Sequence, residues 1–227
     1  MFNRPIPKIP LLKKAELKFN FKDEEFIELC ESEKIIIQMQ YYNMNIPNAP
    51  SKCLMRKSVY KMLKRVADRL PVGYKLKILD AYRPLEVQKY LCDFYYDKIK
   101  KQYSNLNESE LREKAKYFIA SPDKNEVIAP AHSTGGAVDL TLIDENGNEL
   151  DMGCKFDSFR PEASTYYYEQ TDNEKVKTNR RLLYNLMISE GFTNLPSEWW
   201  HYDFGTQNYA RYKGEPILYK GVFDLVK

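Results

Sequence analysis

The chain of 227 residues has two histidines, His132 and His201, and both stand among residues that bind metal ions or move protons. His132 opens the stretch His132-Ser133-Thr134-Gly135-Gly136-Ala137-Val138-Asp139, so one segment offers an imidazole and a carboxylate. His201 closes Glu198-Trp199-Trp200-His201, with a second carboxylate three residues before it. A catalytic zinc ion takes three protein ligands, keeps a further position for water and lowers the pKa of that water. A carboxylate outside the ligand set must then accept the proton and carry it to the leaving group. His132, Asp139 and His201 as ligands of one zinc ion, with Glu198 as the base, make the set of a zinc hydrolase.

Each of these residues also has a plainer use. A histidine beside aromatics is more often packed or hydrogen-bonded than ligating, and Trp199-Trp200 can simply belong to the core. Asp139 can end a strand, and Glu198 can be a solvated loop charge. It is the combination of the four that points to a metal site.

Arg83, in Asp80-Ala81-Tyr82-Arg83-Pro84, adds an electrophile. It follows Tyr74 to Ala81, which reads as a strand with Leu76, Ile78 and Asp80 on alternating positions. Ligand contacts often gather at the carboxyl ends of strands, and the forked donors of an arginine suit a carboxylate or the oxyanion of a tetrahedral intermediate. The same side chain can instead pair with Asp80 and fix the start of the next helix, and the motif alone leaves both uses open.

Strands and loops must bring these residues together. Val138, Leu140 and Leu142 alternate with Asp139 and Thr141, so a strand there turns the first set to the core and the second to a cleft. Residues three apart on a strand face opposite ways, so Glu198 and His201 share a site only if Glu198 lies in the entering loop, where Leu195-Pro196-Ser197 breaks regular structure. Helices are expected over residues 85–101, 58–70 and 108–120, the last ended by Ser121-Pro122. Another runs from a cap at Thr171 or Asn173 to about Glu190, with Val176, Leu182, Leu183, Leu186 and Met187 inward and Gly191 as a left-handed stop. Residues 1–15, spaced by Pro5, Pro7 and Pro10, read as an extended arm, and Tyr209 to Val226 as a short strand or two. The sum is an α+β chain with a single domain over 1–227.

A hydrophobic fraction of 43% over 227 residues is enough for one good core. The 35 basic and 32 acidic residues leave a net charge of +3, which makes no polycationic face, and the 18 tyrosines are scattered rather than set in a basic stacking motif. Nucleic-acid binding is therefore not expected. No stretch approaches the roughly 18 continuous apolar residues of a membrane helix, and Met1 to Leu17 mixes prolines and lysines without an apolar signal core. A cytoplasmic location, off the membrane, follows as the expectation. Cys30, Cys53, Cys92 and Cys154 stand far apart and read as reduced thiols; Cys154 as a nucleophile would need a base, and both histidines are committed.

In order and spacing, four segments resemble the D-alanyl-D-alanine dipeptidases of the VanX type. They are Asp80 to Pro84, His132 to Leu142, Asp151-Met152-Gly153-Cys154-Lys155-Phe156-Asp157, and Gly191 to Asn194 with Glu198 to His201; the resemblance runs from about Tyr41 to Phe204. It implies the Hedgehog/D,D-peptidase-like fold, a small central antiparallel sheet flanked by helices. It implies one Zn(2+) per chain on His132, Asp139 and His201, with Glu198 as general base and Arg83 stabilising the transition state. It further implies that Asp157 receives the free ammonium of a small dipeptide substrate, D-alanyl-D-alanine. Two departures bear on the pocket: Pro130 stands where the family has a serine that helps hold the dipeptide, and Tyr41 to Pro47 matches the family's tyrosine and Asn-Phe pair only loosely, one residue short.

Other activities fit the same residues. A carboxypeptidase trimming longer wall peptides would tolerate a blocked amino end and would not need Asp157. A silent zinc-binding protein that holds wall peptides would have no use for Glu198 and Arg83. A metal-free globular protein would only pack its histidines.

Overall fold

The computed structural model describes residues 2–10, 16–118, 122 and 124–225. In chain order the first elements are β1 (Phe26–Glu28), β2 (Ile35–Ile37), α1 (Gln40–Asn43), β3 (Leu54–Arg56) and α2 (Lys57–Asp68). Next come β4 (Lys75–Asp80), α3 (Leu85–Gln102), α4 (Glu108–Phe118) and β5 (Ala137–Ile143). The chain continues with α5 (Glu174–Ser189), β6 (Thr193–Asn194), β7 (His201–Asp203) and α6 (Gln207–Lys213). Five strands form one sheet in the order β2-β4-β5-β7-β6, and β1 pairs with β3 in a separate ribbon. The architecture is α+β, as the sequence implies.

The main sheet is antiparallel except at its edge, where β2 runs parallel to β4. Ile35, Ile36 and Ile37 form too short an apolar run to reveal either a strand face or a direction, so that pairing leaves no trace in the sequence. β5 is buried along its whole length. Its Val138, Leu140 and Leu142 enter the main core, as their alternation requires, with Ile78 and Leu76 of β4 opposite Leu140 and Leu142.

Two helices close the core face. α2 buries Val59, Met62, Leu63, Val66 and Ala67, a three-and-four spacing that makes one apolar stripe. α5 adds Leu183, Leu186 and Met187 to the same cluster, with Leu182 packed at its margin. Its ends are those expected: the Asn173 side chain accepts from the Val176 amide at 3.2 Å, and Gly191 turns the chain at φ 99°. α3 and α4 form a second cluster in which Val87, Leu91, Tyr95 and Ile99 meet Leu111, Ala115, Tyr41 and Phe159. The expected helix over 108–120 is described as far as Phe118, and its last two residues and Ser121 lie outside the described residues.

The C-terminal expectation is corrected. Tyr209 falls in α6, not in a strand: the Thr206 hydroxyl caps the helix by accepting from the Tyr209 amide at 3.2 Å, and Arg211 and Lys213 in the last turn complement its dipole. After Gly214 the pairing among the described residues is a single bridge between Ile217 and Phe19, and Val226 lies outside the described residues. Residues 2–10 of the arm have no regular structure: Asn185 Nδ2 of α5 donates to the Arg4 carbonyl at 2.9 Å, and the Ile6 amide donates to Glu169 Oε1, in the turn before α5, at 3.0 Å; Met1 and residues 11–15 lie outside the described residues.

Candidate metal centre and active site

Three neighbouring strands set a row of polar side chains on the sheet face away from the main core. Asp139 of β5 pairs with His201 of β7 on one side and with Asp80 of β4 on the other. The second pairing depends on a register shift between Ile78 and Asp80. A regular ladder continuing from Ile78 opposite Leu140 would set Leu79 against Asp139; the extra residue moves Asp80 into that position instead. All three are buried: Asp80 and Asp139 are each 2% exposed and His201 is 4% exposed.

His132 approaches this row from a single 3-10 turn, Ala131–Thr134, which Pro130 precedes and Gly135 ends in a left-handed conformation at φ 72°. A Cβ on Gly135 would strike the Phe26 ring, so only glycine fits that position. The His132 Nε2 lies 3.1 Å from His201 Nδ1 and 3.3 Å from Asp139 Oδ2, and His201 Nδ1 lies 3.0 Å from Asp139 Oδ1. One ligand atom from each of His132, Asp139 and His201 falls within 4.8 Å of the others.

The remaining ring nitrogens are taken. His132 Nδ1 meets the Ala81 carbonyl at 2.7 Å, and His201 Nε2 meets Asp203 Oδ2 at 3.0 Å. Asp203, wholly buried, is itself held by the Thr206 hydroxyl at 2.7 Å and by Asn208 Nδ2 at 3.3 Å. Outer acceptors of this kind orient ligating imidazoles and turn the other nitrogen to the metal. Two imidazoles and a carboxylate so arranged suit zinc or a neighbouring divalent metal, and the residues present fit such an ion. Without the ion, burial works against charge on His201, but Asp203 and Asp139 hold its pKa well above the usual imidazole range. Burial likewise works to raise Asp139, yet His132 and His201 hold it well below the ordinary carboxylate range.

Glu198 lies in the loop entering β7, as strand geometry demands. The loop is a stack of turns: the Glu198 amide donates to the Leu195 carbonyl at 2.9 Å, and Asn194 Nδ2 ties the carbonyls of Glu198 and His201 at 3.0 and 2.9 Å. The carboxylate thereby comes 3.8 Å from His201 Nδ1, beside the three-residue set but outside it. Burial pushes its pKa up to about 8 against the pull of His201. Trp199 and Trp200 are core residues that anchor this loop, with ring centroids 5.4 Å apart.

Arg83 takes up the structural use that its motif left open, the pair with Asp80. Its Nε and Nη2 reach Asp80 Oδ2 at 2.8 and 2.7 Å, Nη1 donates to Gln88 Oε1 at 2.7 Å, and Nη2 also stands 3.3 Å from the Tyr41 hydroxyl and 3.6 Å from Asp139 Oδ2. The buried pair with Asp80 fixes the guanidinium beside Asp139 and Tyr41.

Asp157 reaches the same site through a phenol. Tyr41 accepts from Arg83 and donates to Asp157 Oδ2 at 2.9 Å, and Tyr95 donates to the same oxygen. No cation among the described residues forms an ion pair with Asp157. Burial pushes its pKa up to about 6, against the lowering by Tyr95 and Arg83. The loop that carries it is held from α5 by Arg180, whose guanidinium donates to the carbonyls of Met152, Glu162 and Ser164.

All six residues singled out from the sequence thus meet in one site. Asp203, Gln88, Tyr95 and Arg180 were missed as contributors, and Asp80 was foreseen only as a partner of Arg83. Asp203 was within reach, because His201 and Asp203 are two apart on a strand and must share a face; Gln88 and Tyr95 on α3 and Arg180 on α5 contact the site from helices that no local pattern links to it. Cys154 is no nucleophile candidate: burial raises its thiol pKa, and its partner is Arg180 at 3.8 Å, a donor rather than a base.

Residues 40–215 match the peptidase family M15, described as D-ala-D-ala dipeptidase. The chain is 32% identical over 180 residues to the D-alanyl-D-alanine dipeptidase of Synechocystis sp., a span that covers 70% of this chain and 72% of the relative. It is 31% identical over 158 residues to the D-alanyl-D-alanine dipeptidase of Escherichia coli, covering 67% of each. With the protein of the same name from Enterococcus faecalis the identity is 33% over 141 residues, covering 58% of this chain and 62% of the relative.

Proposed function

The chain belongs to the D-Ala-D-Ala dipeptidase family of metallopeptidases, and on that premise we propose that it hydrolyses free D-alanyl-D-alanine to two molecules of D-alanine with one zinc ion per chain. The observation that carries this reading is the convergence of His132, Asp139 and His201 on one buried point, with the Glu198 carboxylate beside them and outside the set. His132 Nε2, His201 Nδ1 and a carboxylate oxygen of Asp139 would hold the ion. When bound, the zinc ion acts as a Lewis acid on the scissile carbonyl and lowers the pKa of water.

The chain's own groups divide the remaining work. Glu198 takes the proton of the attacking water and carries it to the departing amine. Arg83, held rigid by Asp80 and Gln88, donates to the oxyanion as it develops. Asp157 receives the dipeptide's free ammonium: a half-buried carboxylate without a paired cation gains most from a ligand that brings one. This last contact favours a dipeptide over a peptide extended at its amino end. All four cysteines are free, which suits a reducing compartment such as the cytoplasm.

The test is release of free amine from D-Ala-D-Ala, L-Ala-L-Ala and amino-blocked D-Ala-D-Ala, with zinc-loaded protein and Glu198→Ala as the control. Cleavage confined to the free D,D dipeptide and lost in the variant is the expected result. Cleavage of the blocked substrate would make the protein a carboxypeptidase, and bound zinc without cleavage would make it a binding protein.

A further inference from the structure

We propose that Tyr95, on α3, is a specificity-determining positioning residue that fixes Asp157 where it meets the substrate's ammonium group. The inference rests on the reading of Asp157 as the ammonium acceptor and extends it to a helix that carries none of the other site residues singled out from the sequence.

The Asp157 backbone is left-handed. Its φ of 53° lies in the region that aspartate and asparagine enter more readily than other residues with a side chain, and its surroundings hold it there. Those surroundings are α3. The Tyr95 hydroxyl donates to Asp157 Oδ2, and its ring packs on Phe159 with centroids 4.7 Å apart. Two helical turns further on, Gln102 Nε2 and the Tyr103 hydroxyl hold the Phe159 carbonyl at 3.1 and 2.8 Å. The segment from Asp157 to Phe159 is thus pinned at side chain, ring and backbone by one helix and the residue that ends it.

The hydrogen-bond arrangement selects what can bind. Tyr41 and Tyr95 converge on the same oxygen, Oδ2, and no hydrogen bond from the described residues reaches Oδ1. Burial keeps the Tyr95 phenol protonated, so it is a donor at every working pH. Two phenols can stabilise the carboxylate but bring no charge, and the positive partner is left for the ligand. Tyr41 accepts from Arg83, so its position follows the catalytic arginine, whereas the Tyr95 hydroxyl donates to Asp157 from a helix packed behind it.

The test compares wild type, Tyr95→Phe and Asp157→Asn with D-Ala-D-Ala as substrate, each zinc-loaded and with its melting temperature and bound zinc recorded. Phenylalanine keeps the ring packing on Phe159 and removes only the hydroxyl. The expected result for Tyr95→Phe is a KM raised roughly tenfold, the scale of one hydrogen bond to a charged acceptor, with kcat and zinc content unchanged and the protein still folded at the assay temperature. An unchanged KM in Tyr95→Phe beside a raised KM in Asp157→Asn overturns the role of Tyr95 and leaves Asp157 as the ammonium acceptor. A fall in kcat or zinc content with KM constant also overturns it, because that is what a purely structural tyrosine would do. An unchanged KM in Asp157→Asn removes the ammonium reading itself, and the role of Tyr95 with it.

Discussion

His201 and Asp203 stand two residues apart on β7 and face the same way, so that His201 Nε2 lies 3.0 Å from Asp203 Oδ2 while His201 Nδ1 points at Asp139. The strand's period of two therefore sets the proposed ligand and a carboxylate that orients it in a single His-x-Asp unit. Thr206 and Asn208, from the start of α6, hold that carboxylate in turn.

Asp203→Asn keeps the shape of this contact and removes its charge. The variant is expected to bind zinc about 10–100-fold more weakly than wild type, as measured by competition with a chromophoric chelator. An affinity equal to wild type would mean that Asp203 merely fills space behind His201.

Glu198 stands outside the proposed ligand set, 3.8 Å from His201 Nδ1, so its effect on turnover can be separated from any effect on the metal. Glu198→Gln should lower kcat by about 10²–10⁴-fold, the usual yield of a positioned general base, with zinc content intact. Zinc loss in parallel with activity would make Glu198 a ligand rather than a base.

The legible parts of this protein are those in which side-chain type and local period coincide. Val138 to Leu142 declared both a strand and its faces, and Leu195-Pro196-Ser197 marked the loop that lets Glu198 join His201. Asn173 and Gly191 bounded α5 because each does chemistry that only a few residues can do at a helix end. The Asp80 register shift was invisible, since nothing in Ile78-Leu79-Asp80 distinguishes a bulge from a regular strand. Tyr95 was invisible for another reason: its spacing with Val87, Leu91 and Ile99 marks it as a core residue, and its hydroxyl meets Asp157 only through tertiary packing.

Arg83 and Asp80 form a buried pair, and removing one partner leaves the other charged and alone. Arg83→Ala is expected to cost about 3–5 kcal/mol of stability by urea denaturation. Adding Asp80→Asn should recover part of that loss, because the stranded carboxylate is gone. A single variant that unfolds at the wild-type urea concentration would show that the pair carries no net stability and acts in the site alone.

The Asp157 carboxyl makes a prediction about pH whose sign is fixed by its environment. Burial raises its folded-state pKa to about 6, against about 3.9 for an exposed aspartate. Between those values the folded protein keeps a proton that the unfolded chain has released, so the group's contribution to stability is complete below the lower value and is lost as pH rises through the upper one. The Asp157→Asn variant has nothing to ionise there, and asparagine accepts the φ of 53° at this position. In protein stripped of metal, Asp157→Asn and wild type should therefore respond differently as pH is raised from about 4 to about 8, the variant gaining in melting temperature relative to wild type across that range. A difference that stays constant with pH would mean that Asp157 ionises in the folded protein as freely as in the unfolded one. Holding a carboxylate ready for a cationic ligand would then cost the site nothing in stability.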